Sequence, residues 1–199
     1  MSNRPVVASI VEGHGEVQAL PLLIRRIAGE LFHIFDVEVP TPHRVPRSQM
    51  LAGEALIPAV RIQGARIHGR GGVLILTDAD DDCAVEVAGK LADNAKQASR
   101  CHCEVTVAVR EFEAWFLASA ESLQHHRSFR HDARYLGDPE RPRDAKGALQ
   151  NLMHEPYREN LHQPSFASLM DLALAQRSRS FAHLVRCVDR LLAHNMEQP

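Results

Sequence analysis

Short apolar runs alternate with amphipathic stretches along the first two thirds of the chain. Val6-Val7-Ala8-Ser9-Ile10-Val11 and Val73-Leu74-Ile75-Leu76 are continuous aliphatic runs of strand length. That is the pattern of strands buried on both faces. Residues 104–109 alternate and predict a further strand, and Phe35–Val39 predicts another. Between them, Leu20, Leu23, Ile24 and Ile27 recur at helical spacing, predicting a helix from Glu16 to about Ala28. Further helices are predicted over Glu54–Ile67, from Asp82 to about Arg100, and from the Arg110–Phe116 segment onward. The order β-α-β-α-β-α-β-α predicts an α/β fold: a mostly parallel central sheet with helices on both faces.

The character changes after about Leu123. Residues 125–143 are polar, rich in arginine and interrupted by Pro139 and Pro142, the pattern of a long loop or insertion. Asp144–Met153, Ser165–Ala175 and Arg179–His194 then read as three helices, too short for a core of their own. We therefore expect an α/β core over residues 1–124. Residues 125–199 form an arginine-rich loop and a small C-terminal helical cap packed on that core, within a single domain.

Composition narrows the function classes. Hydrophobic residues make up 45% and charged residues 24%, ordinary for a globular protein. No run approaches the ~18 apolar residues of a membrane helix. Met1 to Pro5 lead straight into a strand, so no signal peptide is expected and a cytoplasmic location is. Cys83, Cys101, Cys103 and Cys187 make no disulfide framework in a chain of this length. A net charge of −2 does not advertise nucleic-acid binding. The positive charge is nearly all arginine, which suits phosphate contacts.

The candidate chemistry lies where strands end. Glu12-Gly13-His14-Gly15-Glu16 follows the first strand, with glycines that permit a tight strand-to-helix turn. Asp78-Ala79-Asp80-Asp81-Asp82 follows the third, and holds more aspartates than a helix cap needs. An extended backbone would aim Asp78 and Asp80 to one side. Arg110, Glu111 and Glu113 follow the fourth strand, and Lys146 stands between Ala145 and Gly147. In open α/β sheets this edge binds ligands. Carboxylates converging there repel unless a cation lies between them, and a hard divalent ion such as Mg2+ or Mn2+ prefers oxygen ligands. Arg179 and Ser180 are candidates for phosphate contacts. Neither a P-loop nor a nucleophile elbow is present, and Cys101-His102-Cys103 lacks a second ligand pair at zinc-finger spacing.

Glu12 after the first strand and Asp78-Ala79-Asp80 after the third resemble the Toprim pattern of topoisomerases, primases and OLD-family nucleases. Glu16, Glu111 or Glu113, and Lys146 resemble the further acidic residues and lysine of the OLD-type variant. Val11-Glu12-Gly13, Arg110 to Trp115, Ala145-Lys146 and Arg179-Ser180-Phe181 resemble the bacterial domain-of-unknown-function 4276 family. The resemblance implies a Toprim-like fold. It also implies a Mg2+-dependent phosphodiesterase, a nuclease on DNA or RNA, with a link to phage defence and to partner ATPases.

On that reading Glu12, Asp78 and Asp80, with Asp82 close by, hold metal. Glu16 with Glu111 or Glu113 completes a second site or acts as base. Lys146 offsets phosphate charge, and Arg110, Arg179 and Ser180 contact substrate. Nucleic acid is the expected partner, with an ATPase partner and a homodimer as further expectations. One alternative is a haloacid-dehalogenase-type phosphatase with Asp78 as nucleophile and Asp80 as general acid. The other is a non-catalytic module that binds nucleic acid or an ATPase partner.

Overall fold

The computed structural model describes residues 4–98 and 101–194. Four strands, β1 (Val6–Val11), β2 (His43–Arg44), β3 (Gly71–Asp78) and β4 (Cys103–Ala108), form one sheet in the order β2-β1-β3-β4. Every pairing is parallel. The α/β class with a parallel sheet is therefore as the hydrophobic pattern predicts. β3 is central, and both the aliphatic runs read from the sequence are buried throughout.

Alternation along the strands divides the core in two. Val7, Val11, Leu74, Leu76 and Ala108 face one side, covered by α1 (Glu16–Arg26), α5 (Ala114–Ala118), α7 (Glu159–Leu169) and α9 (Arg179–His194). Val6, Ala8, Ile10, Val73, Ile75, Val105 and Val107 face the other, covered by α2 (Arg47–Ala52), α3 (Leu56–Ile67) and α4 (Ala84–Ala98). The remaining helices, α6 (Ala145–Gln150) and α8 (Leu172–Ala175), complete the first side. Of the C-terminal helices, α9 lies directly on β3 and β4, so it is a layer of the sandwich as well as part of the cap.

The strand expected over Phe35–Val39 is replaced by a single bridge, Val6 to Glu38. The Val7 N–H donates to Glu38 and the Glu38 N–H to Pro5. A continued ladder would next draw on residues 40 and 42, and both are prolines without an N–H. The gap is filled from outside: buried Gln63 donates from Nε2 to the carbonyls of Ser9 (3.1 Å) and Thr41 (3.3 Å). Pairing resumes only at His43–Arg44, inside residues 40–49, a proline- and arginine-rich segment whose sequence reads as a loop.

Helix α1 ends at Arg26 and widens into a π-helical turn over Ile27–Leu31. The helix expected over 165–175 is two helices, α7 and α8, separated at Met170, and α7 begins earlier, at Glu159. Asp171 restarts the chain by accepting from the N–H groups of Ala173 and Leu174.

β1, β3 and β4 approach closely through Gly71 and Gly72. A Cβ on Gly72 would lie 2.4 Å from the His102 carbonyl oxygen and 2.5 Å from Leu191 Cδ2. We expect Gly72→Ala to lower stability by about 1–3 kcal/mol, seen in calorimetry as a fall in Tm of roughly 3–10 °C. Gly89, in the exposed middle of α4, meets nothing within 4 Å. Gly89→Ala should instead raise Tm slightly, through helix propensity.

Candidate active site

The parallel sheet brings the ends of β1, β3 and β4 to one edge, and Glu12, Glu16, Asp78 and Glu113 gather there. Thr77 Oγ1 donates to Glu12 Oε2 at 2.5 Å, fixing one carboxylate against the end of β3. Glu16 opens α1 and curls back, accepting from the N–H groups of Glu12 (3.1 Å) and Gly13 (3.2 Å). The Phe112 N–H donates to Asp78 Oδ1 at 2.9 Å. Glu113 is fully buried, and its Oε1 accepts from the Tyr157 hydroxyl (2.7 Å) and Gln163 Nε2 (2.9 Å). Its Oε2 is buried without a hydrogen-bond partner.

These carboxylates act on one another. Burial pushes Glu16 up to about 8, aided by repulsion from Glu12 and Glu113 and opposed by its two backbone bonds. Burial also pushes Asp78 well above the usual carboxylate range, with repulsion from Glu16, Glu113 and Glu12 adding to it and Lys146 opposing. Glu113 is raised chiefly by its burial. A set of acids that favours holding protons at neutral pH is one that a cation would relieve.

Lys146 is the nearby cation. Asp144 accepts from the Gly147 N–H and starts α6, which carries the lysine. The Lys146 Nζ lies 2.7 Å from Glu159 and 3.9 Å from Glu111, whose other oxygen accepts the Lys146 N–H. The carboxylates around it hold its ammonium above the ordinary lysine range. A cleft of about 740 Å³, lined by Lys146, Tyr157, Arg158 and Glu159 among others, opens beside it.

The glycines of the first motif serve differently from the expectation. Gly15 has an ordinary helical φ of −67°. What it supplies is space: a Cβ there would lie 2.2 Å from Gln163 Oε1. α7 can therefore bring Gln163 to Glu113 only because residue 15 has no side chain.

The aspartates after β3 separate. Asp80 takes a left-handed φ of 51°, so the extended alternation ends before it. Its carboxylate lies 3.6 Å from Arg47 Nε, and Asp82 bonds Arg47 at 2.5 Å. Asp81 is held by Arg110 and Arg143, with Arg143 holding its carboxyl low. The expected pairing of Asp78 with Asp80 and Asp82 is thus interrupted by a backbone turn and by Arg47, which engages both Asp80 and Asp82. Among the described residues, no group of three or more His, Cys, Asp or Glu is already spaced to hold a metal ion.

Arg110, Arg179 and Ser180 are engaged in structure. Arg110 also donates to the Asp80 carbonyl. Arg179 pairs with buried Glu140, which accepts the Ser180 N–H. Ser180 Oγ accepts from buried Trp115 Nε1 at 2.9 Å. Tyr157, Gln163, Glu159, Thr77 and Arg47 complete the site and were missed. Polar residues on separate elements carry no motif that would reveal their convergence on Glu113, Lys146, Glu12 and the aspartates.

Residues 11–189 match the family described as a domain of unknown function, DUF4276. The chain belongs to the DUF4276 family. A solved structure of the C-terminal region of the Xanthomonas campestris pv. campestris OLD protein is similar at 19% identity. That likeness covers 92% of this chain and 95% of the other, with a TM-score of 0.37, too loose to carry function across. None of the curated proteins compared matches the chain. No helix among the described residues of this DUF4276 protein is long and apolar enough to cross a membrane.

Two predictions follow from the packing of these groups. In the folded chain Glu16 keeps a proton up to about 8, whereas unfolded it would release it near 4.5. Stability should therefore fall as pH rises from about 4.5 to about 8, and level off above. In chelator, we expect Tm to drop by roughly 5–10 °C between pH 5 and pH 8.5, and Glu16→Gln to flatten that slope. Separately, Ser180→Ala leaves Trp115 Nε1 without its acceptor and should cost about 1–3 kcal/mol in denaturant unfolding.

Proposed function

We propose that this DUF4276 protein is a divalent-cation-dependent phosphodiesterase, a nuclease acting through a Toprim-like acidic edge. The observation that carries the reading is the mutually repelling set of buried Glu16, Asp78 and Glu113 with part-buried Glu12, and Lys146 beside it. The donors are all oxygen and Glu113 Oε2 lacks a partner, which suits a hard cation. Glu12 and Asp78, with Glu16, would hold Mg2+ or Mn2+ once Asp78 and Glu16 give up their protons. Bound there, the ion would polarise a phosphate and make an attacking water more acidic.

The protein's own groups supply the rest. Lys146, paired with Glu159, lines the cleft, where its ammonium would offer positive charge to a phosphate oxygen. Tyr157 and Gln163 keep Glu113 oriented, and Thr77 keeps Glu12 oriented. Arg127, Arg130, Arg134 and Arg141 are exposed in the arginine-rich segment and suit a nucleic-acid backbone.

The test is a calorimetric titration with Mg2+ and Mn2+ in two buffers of different ionisation enthalpy, with plasmid and single-strand cleavage on the same samples. Binding should release protons at pH 7, because Glu16 and Asp78 must ionise. Asp78→Asn and Glu12→Ala should lose metal binding and cleavage together. Lys146→Ala should keep metal binding and lose roughly 100-fold or more in cleavage rate. Folded wild type that binds no metal at millimolar concentration would sink this reading.

A further inference from the structure

β3 is paired on both sides, but β4 is paired on one. The Val73 N–H donates to His102 and the Ala79 N–H to Ala108, so the even-numbered residues of β4 turn their backbone groups to β3. The backbone groups of Val105 and Val107 therefore point to the open edge. The Val105 carbonyl receives only the Cys187 thiol, at 3.8 Å. Beyond them Ser180 Oγ closes the edge by accepting the Val109 N–H at 3.3 Å.

This edge is recessed. It forms the floor of a slot of about 520 Å³, with the start of α4 as one wall and α9 as the other. The two walls differ in chemistry. On the α4 side stands Val85, 80% exposed, beside Ala84 and Ala88. On the α9 side stand exposed Arg186 and Arg179, whose Nε pairs with Glu140 in the slot lining while its side chain stays 82% exposed. A strand laid along β4 would send alternate side chains to opposite walls.

We propose that the open edge of β4 is a strand-addition site for an extended segment of a partner protein in which apolar and acidic residues alternate. Backbone pairing to Val105 and Val107 supplies affinity. The apolar positions pack on Val85 and the acidic positions meet Arg179 and Arg186. A second copy of this chain fits less well. Two-fold pairing of β4 with itself would set α9 against the partner's α9 and bring like-charged arginines together.

The experiment uses three labelled octapeptides of sequence GEVEVEVG, GKVKVKVG and GEEEVVVG, followed by fluorescence anisotropy against the full chain at 0.1 M salt. The alternating acidic peptide should bind at least ten-fold more tightly than its block isomer and than the lysine peptide. Val107→Pro removes an outward N–H, which an edge strand tolerates, together with a buried valine side chain; with its fold checked by circular dichroism, it should abolish that preference. Arg186→Glu, at an exposed position, should weaken the acidic peptide and favour the lysine one. Equal binding of alternating and block peptides overturns the proposal, as does binding unchanged in Arg186→Glu. Self-association of the free chain that Val107→Pro abolishes would place a second copy in the slot and overturn it too.

Discussion

β3 is paired on both edges and covered on both faces, and the candidate carboxylates at the sheet edge are placed relative to it. Its pairing with β1 brings Glu12 to the end of the sheet, where Thr77, the penultimate residue of β3, bonds it. Its pairing with β4 brings Phe112 close enough for its N–H to reach Asp78. The close approach at Gly72 is what permits this, because any larger residue would push β4 and α9 away together. The geometry of the acidic edge is thus set by backbone pairing that runs along β3 from Gly72 to Asp78 itself, and it does not depend on the carboxylates attracting anything.

That independence matters because the carboxylates themselves oppose folding. Burying Glu16, Asp78 and Glu113 together costs free energy whether they ionise and repel or hold protons at neutral pH. The surrounding bonds offset only part of this, since Glu113 Oε2 is left without one. A fold selected for stability alone would place apolar residues at such positions. Local features that run against stability, held in place by a well-packed sheet, are the signature of a site with work to do.

The hydrophobic pattern made the parallel sheet legible, because short aliphatic runs such as 73–76 are those of strands buried on both faces. It failed at residues 35–39, where the apolar and acidic alternation is strand-like but the prolines that follow remove the N–H groups a ladder needs. Glu12, Glu16, Asp78, Glu113 and Lys146 were legible as candidates because each stands just beyond a strand or in a short distinctive motif. Asp80 and Asp82 were misleading: a strand pattern was extended past the residue at which the chain turns left-handed, and Arg47, which draws them away, comes from a segment read as loop. Ser180 and Arg179 were visible as a motif, but their partners Trp115 and Glu140 lie 65 and 39 residues distant, so only the fold reveals them as structural.

The division of the chain into a core and a C-terminal extension does not carry over to the site. Glu12, Glu16, Asp78 and Glu113 all come from residues 1–124. Yet Glu113 is oriented by Tyr157 and Gln163, and the only lysine at the edge, Lys146, is delivered by α6. Gly15 shows that the two parts are shaped to each other, since its missing Cβ is what lets α7 reach in. An isolated core would therefore retain the acids while losing the groups that orient Glu113 and counter the accumulated negative charge. The extension is best understood as half of the site, and the arginine-rich stretch that leads into it is tied to the acidic loop after β3 through the pairing of Arg143 with Asp81.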